Sequence, residues 1–120
     1  CPKWNVYSAF SNPGKISAAV SKMTDGERYV CIARTVEKGI SKYGEEKGLL
    51  SIGLGCQIKY AKDFVYADGL NLNDEKTESR IGVSCRKCDR LDCSQRAFPP
   101  DTQSYDVNIN QRGVSIFVNE

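Results

Sequence analysis

The chain has 120 residues, of which 40% are hydrophobic and 27% are charged, and its formal net charge is +2 at pH 7. A chain of this length forms one domain, residues 1–120, and no apolar run approaches the roughly 20 residues of a membrane-spanning helix. The small net charge argues against an isolated DNA-binding domain. Because histidine is absent, Ser-His and Cys-His nucleophiles are excluded, and we expect a protein that is not an enzyme.

The first third of the chain predicts a short helix followed by a hairpin. In residues 3–10, large apolar side chains recur three and four positions apart, which is typical of a helix with an aromatic face. Residues 16–20 fit either a strand or a helix. We favour a strand because Asp25-Gly26 is a strong hairpin turn and residues 28–36 have the composition of a second strand.

The middle of the chain contains the clearest strand. Residues 39–48 hold several glycines and charged side chains and are expected to form an exposed loop. In residues 50–58, larger apolar side chains occupy every second position, which places them on one face of a strand. These residues are Leu50, Ile52, Leu54, Cys56 and Ile58. Cys56 is therefore predicted to point inward, and residues 58–65 are predicted to form two helical turns.

The last third predicts a polar segment at 73–80, a cysteine loop at 81–100, and strands at 107–110 and 114–118. The predicted fold is α+β, with a mostly antiparallel sheet of about five strands and two or three short helices. Such a sheet with one covered face is typical of a small sensor domain, and a GAF-like or PAS-like domain is one form that it could take.

Three of the six cysteines fall within nine residues, at Cys85, Cys88 and Cys93. The Cys-x2-Cys spacing is usual for a metal-binding knuckle. Three thiolates are one fewer than the four ligands that zinc or an iron–sulfur cluster requires. Cys56 is the candidate for the fourth ligand because its strand carries it inward. The alternative is that Cys56 is a small buried hydrophobic residue.

The spacing leaves several kinds of cysteine chemistry open. An irregular set with only one Cys-x2-Cys pair is more typical of iron–sulfur proteins than of zinc ribbons. Three disulfides in a secreted domain are another reading, and a thiol oxidoreductase built on Cys85 and Cys88 is a weaker one. Four cations surround the loop and would suit an anionic thiolate site, or would simply be solvated surface. They are Arg86, Lys87, Arg90 and Arg96.

Several motifs together resemble one family, the C-terminal domain of short-chain fatty acyl transcriptional regulators. They are Cys1-Pro-Lys-Trp-Asn-Val-Tyr-Ser-Ala-Phe10, Gly53-Leu-Gly-Cys-Gln57, Ile81-Gly-Val-Ser-Cys-Arg-Lys-Cys88 and Cys93-Ser-Gln-Arg-Ala-Phe-Pro-Pro100. The resemblance runs in order through residues 1–100 and fades after Pro100. It departs from the family at Tyr7, where many members have histidine.

The resemblance implies a cytoplasmic regulator of propionate, acetate and glyoxylate metabolism. DNA would be contacted only through an upstream helix-turn-helix domain outside this chain, no membrane would be involved, and the regulator could be a homodimer. The effector implied is coenzyme A or a short-chain acyl-CoA. In some members a four-iron ([4Fe-4S]) cluster is also bound, and its pattern carries over onto Cys56, Cys85, Cys88 and Cys93.

A coenzyme A ligand needs an apolar slot for its thiol arm and cations for its phosphates. We expect such a pocket beside the cysteine loop. The apolar wall would be Trp4, Tyr7 and Phe10, and the anion contacts Arg34 or Arg96. An alternative function is a structural module in which zinc fixes the cysteine loop and the surface binds a protein partner.

Overall fold

The computed structural model describes residues 1–101 and residue 110, and it contains a mixed sheet of four strands in the order β3-β2-β1-β4. The strands are β1 (Ser17–Lys22), β2 (Arg28–Lys38), β3 (Gly48–Gln57) and β4 (Ser79–Arg80). β2 pairs antiparallel with both β1 and β3, whereas β4 pairs parallel with β1. The α+β class is therefore confirmed, with one parallel pair added to the antiparallel hairpins.

The helices are all short. α1 (Asn5–Ser8) continues into a 3₁₀ turn at Ala9–Ser11, in the segment where a helix was predicted. The helical turns predicted after β3 are present as 3₁₀ helices at Ile58–Asp63 and Val65–Ala67. A last 3₁₀ turn covers Cys85–Lys87. Among the described residues, no helix has the length and apolar character to cross a membrane.

The β1–β2 connection is the Asp-Gly hairpin turn that the sequence predicts. Gly26 has a φ of 88°, a conformation that glycine adopts without steric cost. The Met23 amide donates to the Glu27 carbonyl at 2.8 Å, and the Gly26 amide donates to the Met23 carbonyl at 3.1 Å. The Asp25 carboxylate accepts from the Glu27 amide at 2.9 Å, so local chemistry fixes this register.

One face of the sheet is covered by α1. Asn5 is only 6% exposed, and its side-chain amide donates to the carbonyls of Cys31 at 3.1 Å and Ser17 at 3.3 Å. Gly53 allows the helix to lie this close, because a Cβ there would stand 2.6 Å from Val6 Cγ1. The N-terminal segment is therefore held against the strands by hydrogen bonds to backbone and by close packing.

The opposite face is covered at one end only. Its core consists of Val20, Val30, Ala61 and Ala67, with Cys56 packed against it. The strand β3 was correctly predicted, and Cys56 does face this core. Leu50, Ile52 and Leu54 are nevertheless 46%, 51% and 64% exposed, because the described residues place no layer over that end of the sheet.

Two other expectations changed or lie outside the described residues. The segment 73–80 was predicted as a polar loop, but its end forms β4, which pairs with Ser21 and Lys22. This pairing depends on a distant ion pair, Arg28 Nε to Glu78 Oε2 at 2.7 Å, which no local pattern reveals. The predicted strands at 107–110 and 114–118 fall outside the described residues apart from Asn110.

Candidate metal centre

The cysteine loop begins in a 3₁₀ turn that places two thiols on one side of the chain. The side chain of Ser84 caps this turn by accepting a hydrogen bond from the Arg86 amide at 3.2 Å. The Cys88 amide then donates to the Cys85 carbonyl at 3.3 Å, so one turn of the chain separates the two cysteines. Cys85 is 9% exposed, so its thiol faces the interior of the domain.

Four cysteines line one small cavity of about 10 Å³: Cys1, Cys85, Cys88 and Cys93. Cys1 arrives there from the N-terminal segment, where its carbonyl accepts a hydrogen bond from the Trp4 amide at 3.1 Å just before α1. The three cysteines of the loop are thus joined by a fourth from the opposite end of the described chain. All six cysteines are free thiols.

The predicted fourth ligand, Cys56, is not among the residues that line this cavity. It lies on β3 opposite Val30 and packs against the core cluster. Cys1, which does line the cavity, was not among the predicted ligands. Within residues 1–101 and 110, no group of three or more cysteine, aspartate or glutamate side chains has the arrangement needed to hold a metal ion.

Arg96 organises the backbone of the cysteine loop. It is 5% exposed, and its guanidinium donates to the carbonyls of Cys85 at 2.7 Å, Cys88 at 2.9 Å and Phe98 at 3.2 Å, and also to that of Arg90. Since these bonds direct its N–H groups to the loop interior, the structure does not present Arg96 to a ligand at the surface.

A second arginine anchors the loop to the sheet. Arg90 Nη2 donates to the carbonyl of Lys22, at the end of β1, at 3.0 Å and to that of Ile81 at 3.3 Å. Its Nε lies buried beside the cavity with no hydrogen-bond partner. The Ala97 amide donates to Cys85 Sγ at 3.5 Å. N–H groups aimed at or near the sulfurs suit thiolates that carry negative charge.

A bidentate ion pair closes the outer side of the loop. Arg80 Nη1 and Nη2 lie 2.9 Å and 3.2 Å from the two carboxylate oxygens of Asp92. The hydrogen bond from Arg80 and its charge lower the pKa of Asp92. The pKa of Arg80 is raised, chiefly by Asp92 and to a smaller extent by Cys93 and Cys88. Arg80 is therefore close enough to the thiols to interact with their charged forms.

The other two cations of the loop point outward. The Arg86 guanidinium carbon lies 4.5 Å from the centre of the Phe98 ring, a cation–π contact. Lys87 Nζ lies 3.2 Å from an Asp101 carboxylate oxygen, and both side chains are well exposed. Arg86 and Lys87 are consequently the two that remain accessible to an anionic ligand.

A pocket of about 400 Å³ adjoins the cysteine cavity on the covered face of the sheet. Its walls are mostly apolar: Trp4, Val6, Met23, Leu54 and Ile81, with Asp25, Tyr29, Cys31, Gly53 and Gly55 completing it. Burial raises the pKa of the Cys31 thiol. Because Ile81 also lines the cysteine cavity, the two spaces share a wall.

A second pocket, of about 460 Å³, adjoins the cavity on its other side. It is lined by Cys1, Pro2, Tyr7, Ser8, Ser11, Val83, Ser84, Cys85, Ala97 and Phe98. It shares Cys1, Pro2, Ser84 and Cys85 with the cysteine cavity. Three serine hydroxyls make it more polar than the first pocket. Arg86, which is not among its lining residues, lies over the ring of Phe98, which is.

The residues predicted for one ligand pocket are distributed over several places. Trp4 lines the first pocket and Tyr7, which is 55% exposed, lines the second. Phe10 is 42% exposed on the 3₁₀ turn that follows α1. Arg34 pairs with Ile52 on the uncovered side of the sheet, so the structure does not bring it to either pocket.

A small mixed sheet carries a thiol-lined cavity that shares residues with two open pockets. The chain belongs to the family described as "Short-chain fatty acyl coenzyme A regulator, C-terminal", whose model matches residues 1–117. The match extends past Pro100, where the sequence resemblance was expected to fade.

The relatives are regulators. The chain is 41% identical over 120 residues to "HTH-type transcriptional regulator RamB" of Mycobacterium tuberculosis, covering 98% of this chain and 25% of that protein. It is 40% identical over 114 residues to "Propionyl-CoA carboxylase regulator" of Cereibacter sphaeroides, covering 95% and 24%. These names agree with the expectation that the domain is not an enzyme.

A solved structure has the same fold. It is a "Mycobacterium tuberculosis transcriptional regulator", with a TM-score of 0.83 and 36% sequence identity. The match covers 95% of this chain and 35% of the solved chain. The chain thus spans about a quarter of the curated relatives and about a third of the solved one.

Proposed function

We propose that this chain is the effector-sensing domain of a bacterial transcriptional regulator, and that it binds a metal centre together with coenzyme A or a short-chain acyl-CoA. The observation that carries the proposal is the position of the cysteine cavity, which shares walls with both large pockets. A ligand in either pocket would touch residues that also enclose the thiols. Effector binding and the state of the metal centre would therefore influence each other.

The metal ligands in this proposal are Cys1, Cys85, Cys88 and Cys93, with Cys1 in the place that the sequence gave to Cys56. Four thiols with buried N–H groups nearby have the chemistry that zinc or an iron–sulfur cluster requires. A cluster would supply a reversible one-electron change of charge, and zinc would supply only a structural cross-link. Arg90 and Arg96 hold the loop carbonyls, so they would orient the sulfurs in either case.

The size of the cavity gives the zinc alternative a specific basis. About 10 Å³ is close to the space that one water molecule occupies. A single ion fits that space with small sulfur movements, whereas a four-iron cluster requires the loop to open outward. The outer side of the loop is held mainly by the exposed pair of Arg80 and Asp92, which solvent can replace at little cost.

The second pocket fits a coenzyme better than the first. Its volume lies within the range of small-molecule sites. Tyr7 and Phe98 offer ring surfaces for the thiol arm, and Arg86, over Phe98, offers a cation for a phosphate. No lysine or arginine is among the described residues that line either pocket, but the first pocket also contains Asp25, whose negative charge does not favour a polyphosphate.

Titration calorimetry with acetyl-CoA, propionyl-CoA and free coenzyme A tests the effector directly, using anaerobically purified, metal-loaded protein. We expect Tyr7→Ala to weaken binding by about tenfold, the loss typical of one aromatic contact. Tyr60→Ala is the matched control, since Tyr60 is 53% exposed and lies outside the pocket. If none of the three ligands gives heat, the metabolite sensor is excluded and a sensor based on the metal centre alone remains.

DNA binding in this proposal belongs to the part of the regulator outside the chain. The RamB relative carries the description "HTH-type". A net charge of +2 gives this domain no strong affinity for phosphate backbones. The effector would act by binding one conformation of the regulator more tightly than the other. The shift in the equilibrium between the two conformations cannot exceed the difference in the effector's affinity for them. Such a regulator works in the bacterial cytoplasm, where its DNA is.

A further inference from the structure

Half of one sheet face is apolar and uncovered in the described part of the chain. Cross-strand register places its side chains together, and they surround a shallow groove of about 190 Å³. The groove is lined by Ile16, Ile32, Ala33, Arg34, Val36, Ile52 and Leu54, and Leu50 pairs with Val36 beside it. Ile16, Leu50, Ile52 and Leu54 are all between 46% and 64% exposed. We call this set the bare face.

The apolar core of the described domain is small compared with the apolar side chains that the bare face exposes. Its buried hydrophobic residues are Ala9, Val20, Val30, Cys31, Ala33, Ala61, Ala67, Ile81 and Cys85. Four of these are alanines, and only Val30 and Ile81 are large apolar side chains that are less than 2% exposed. Contiguous exposed aliphatic residues in a domain with so small a core indicate an interface.

Arg34 lies in the middle of the bare face. It pairs with Ile52 across the sheet and lines the groove with Ile16. Within the described residues its side chain makes no hydrogen bond or ion pair. A cation inside an apolar interface requires an anionic partner. A two-fold contact centred on this face would bring two copies of Arg34 together, so the charge disfavours a second copy as the occupant.

We propose that the bare face is the docking surface for the part of the same regulator that is N-terminal to this domain. That part packs an apolar surface onto the bare face and places a carboxylate opposite Arg34. The family model is that of a C-terminal domain, and about three quarters of each curated relative lies outside the match. The solved neighbour also continues well beyond the matched 35% of its chain. This inference rests on family membership and does not depend on which effector or metal is bound.

Photo-crosslinking in the full-length regulator tests the occupant. A photoreactive phenylalanine analogue replaces Ile52 in one variant and Tyr43, which is fully exposed on the β2–β3 loop, in a control. We expect the variant at 52 to form an intramolecular crosslink to a segment that precedes Cys1, and the control to form none. A crosslinked dimer, a crosslink to residues 102–120, or no crosslink at 52 would each overturn the proposal.

A second experiment tests whether a carboxylate faces Arg34. Arg34→Glu should reduce the yield of the intramolecular crosslink at 52 by about tenfold, since it sets two carboxylates against each other. Arg34→Lys keeps the charge and should retain most of the yield. Equal yields in both variants would show that no carboxylate faces Arg34, and would overturn that part of the proposal.

Discussion

At the scale of single residues, Cys31 differs from the thiols of the cysteine cavity in its surroundings. Cys31 is 8% exposed beneath Trp4, and burial raises its pKa above the ordinary value of a thiol. A thiol that stays neutral is a poor nucleophile. Cys31 is thus part of the sheet core and of the wall of the first pocket.

We predict that Cys31 reacts with iodoacetamide at pH 7.5 at least about tenfold more slowly in the folded protein than in denaturant. Peptide mass spectrometry after timed labelling measures this. The raised pKa also means that the stability contributed by the neutral thiol is present below the ordinary thiol pKa and is lost as the pH rises through the folded-state value. Equal labelling rates in the two states would contradict this assignment.

The pair of Asp92 and Arg80 predicts the opposite pH dependence. Because Arg80 lowers the pKa of Asp92, the pair stabilises the folded protein above the ordinary aspartate pKa, and its contribution disappears as the pH falls through the lowered value. Thermal unfolding between about pH 6 and pH 3 should show Asp92→Asn losing less stability on acidification than the wild type. Parallel curves for the two proteins would show that the ion pair does not form in solution.

At the scale of elements, close approach between β2 and β3 depends on glycine. A Cβ on Gly55 would lie 2.9 Å from Cys31 Sγ and 3.1 Å from the Val30 carbonyl oxygen. We predict that Gly55→Ala destabilises the domain by about 1–3 kcal/mol, since the neighbouring strand must move. Gly48→Ala is the control, because its nearest neighbour is 3.4 Å away. Denaturant unfolding of both variants measures the difference, and equal losses would contradict it.

Elements with a local pattern were predictable from the sequence. The Asp25-Gly26 turn, the alternation in β3 and the aromatic spacing before α1 each specify structure within a few residues. β4 was missed because two residues carry no periodicity and its pairing depends on Glu78 reaching Arg28 across 50 positions. The spacing grouped Cys85 and Cys88 with Cys93, and all three line the cavity, while their role as metal ligands stays a prediction. The spacing did not point to Cys1, since sequence distance does not reveal which thiol folds back to the loop.

At the scale of the whole molecule, the described residues form a thin domain whose stability draws on contacts outside its own core. Of the four short 3₁₀ helices in the described residues, those before the cysteine loop lie with α1 over parts of the sheet. The cysteine loop, which holds the fourth, is fixed by arginine–carbonyl hydrogen bonds more than by apolar packing. A metal held by the four cysteines of the cavity would link the N-terminal segment, through Cys1, to the cysteine loop at 81–100. In the proposed function, a metal bound there would therefore be expected to stabilise the fold.

Metal removal should consequently lower the melting temperature. A ligand that binds only the folded state stabilises it by mass action, and a structural metal commonly supplies several kcal/mol. We predict a fall of about 10 °C or more when a chelator strips the protein under anaerobic, reducing conditions. Calorimetric scans before and after stripping, followed by reloading, measure it. A melting temperature that does not change would show that the centre contributes nothing to folding.

The most direct test of the proposed metal site is to identify its fourth ligand. Metal content, acid-labile sulfide and the visible spectrum would be measured for anaerobically purified wild type, Cys1→Ser, Cys56→Ser and Cys85→Ser. We predict that Cys1→Ser loses the metal as completely as Cys85→Ser does, while Cys56→Ser keeps it. A brown wild type with sulfide indicates a cluster, and a colourless one with zinc indicates the structural alternative. Loss of the metal in Cys56→Ser with full retention in Cys1→Ser would contradict the site described by the structure.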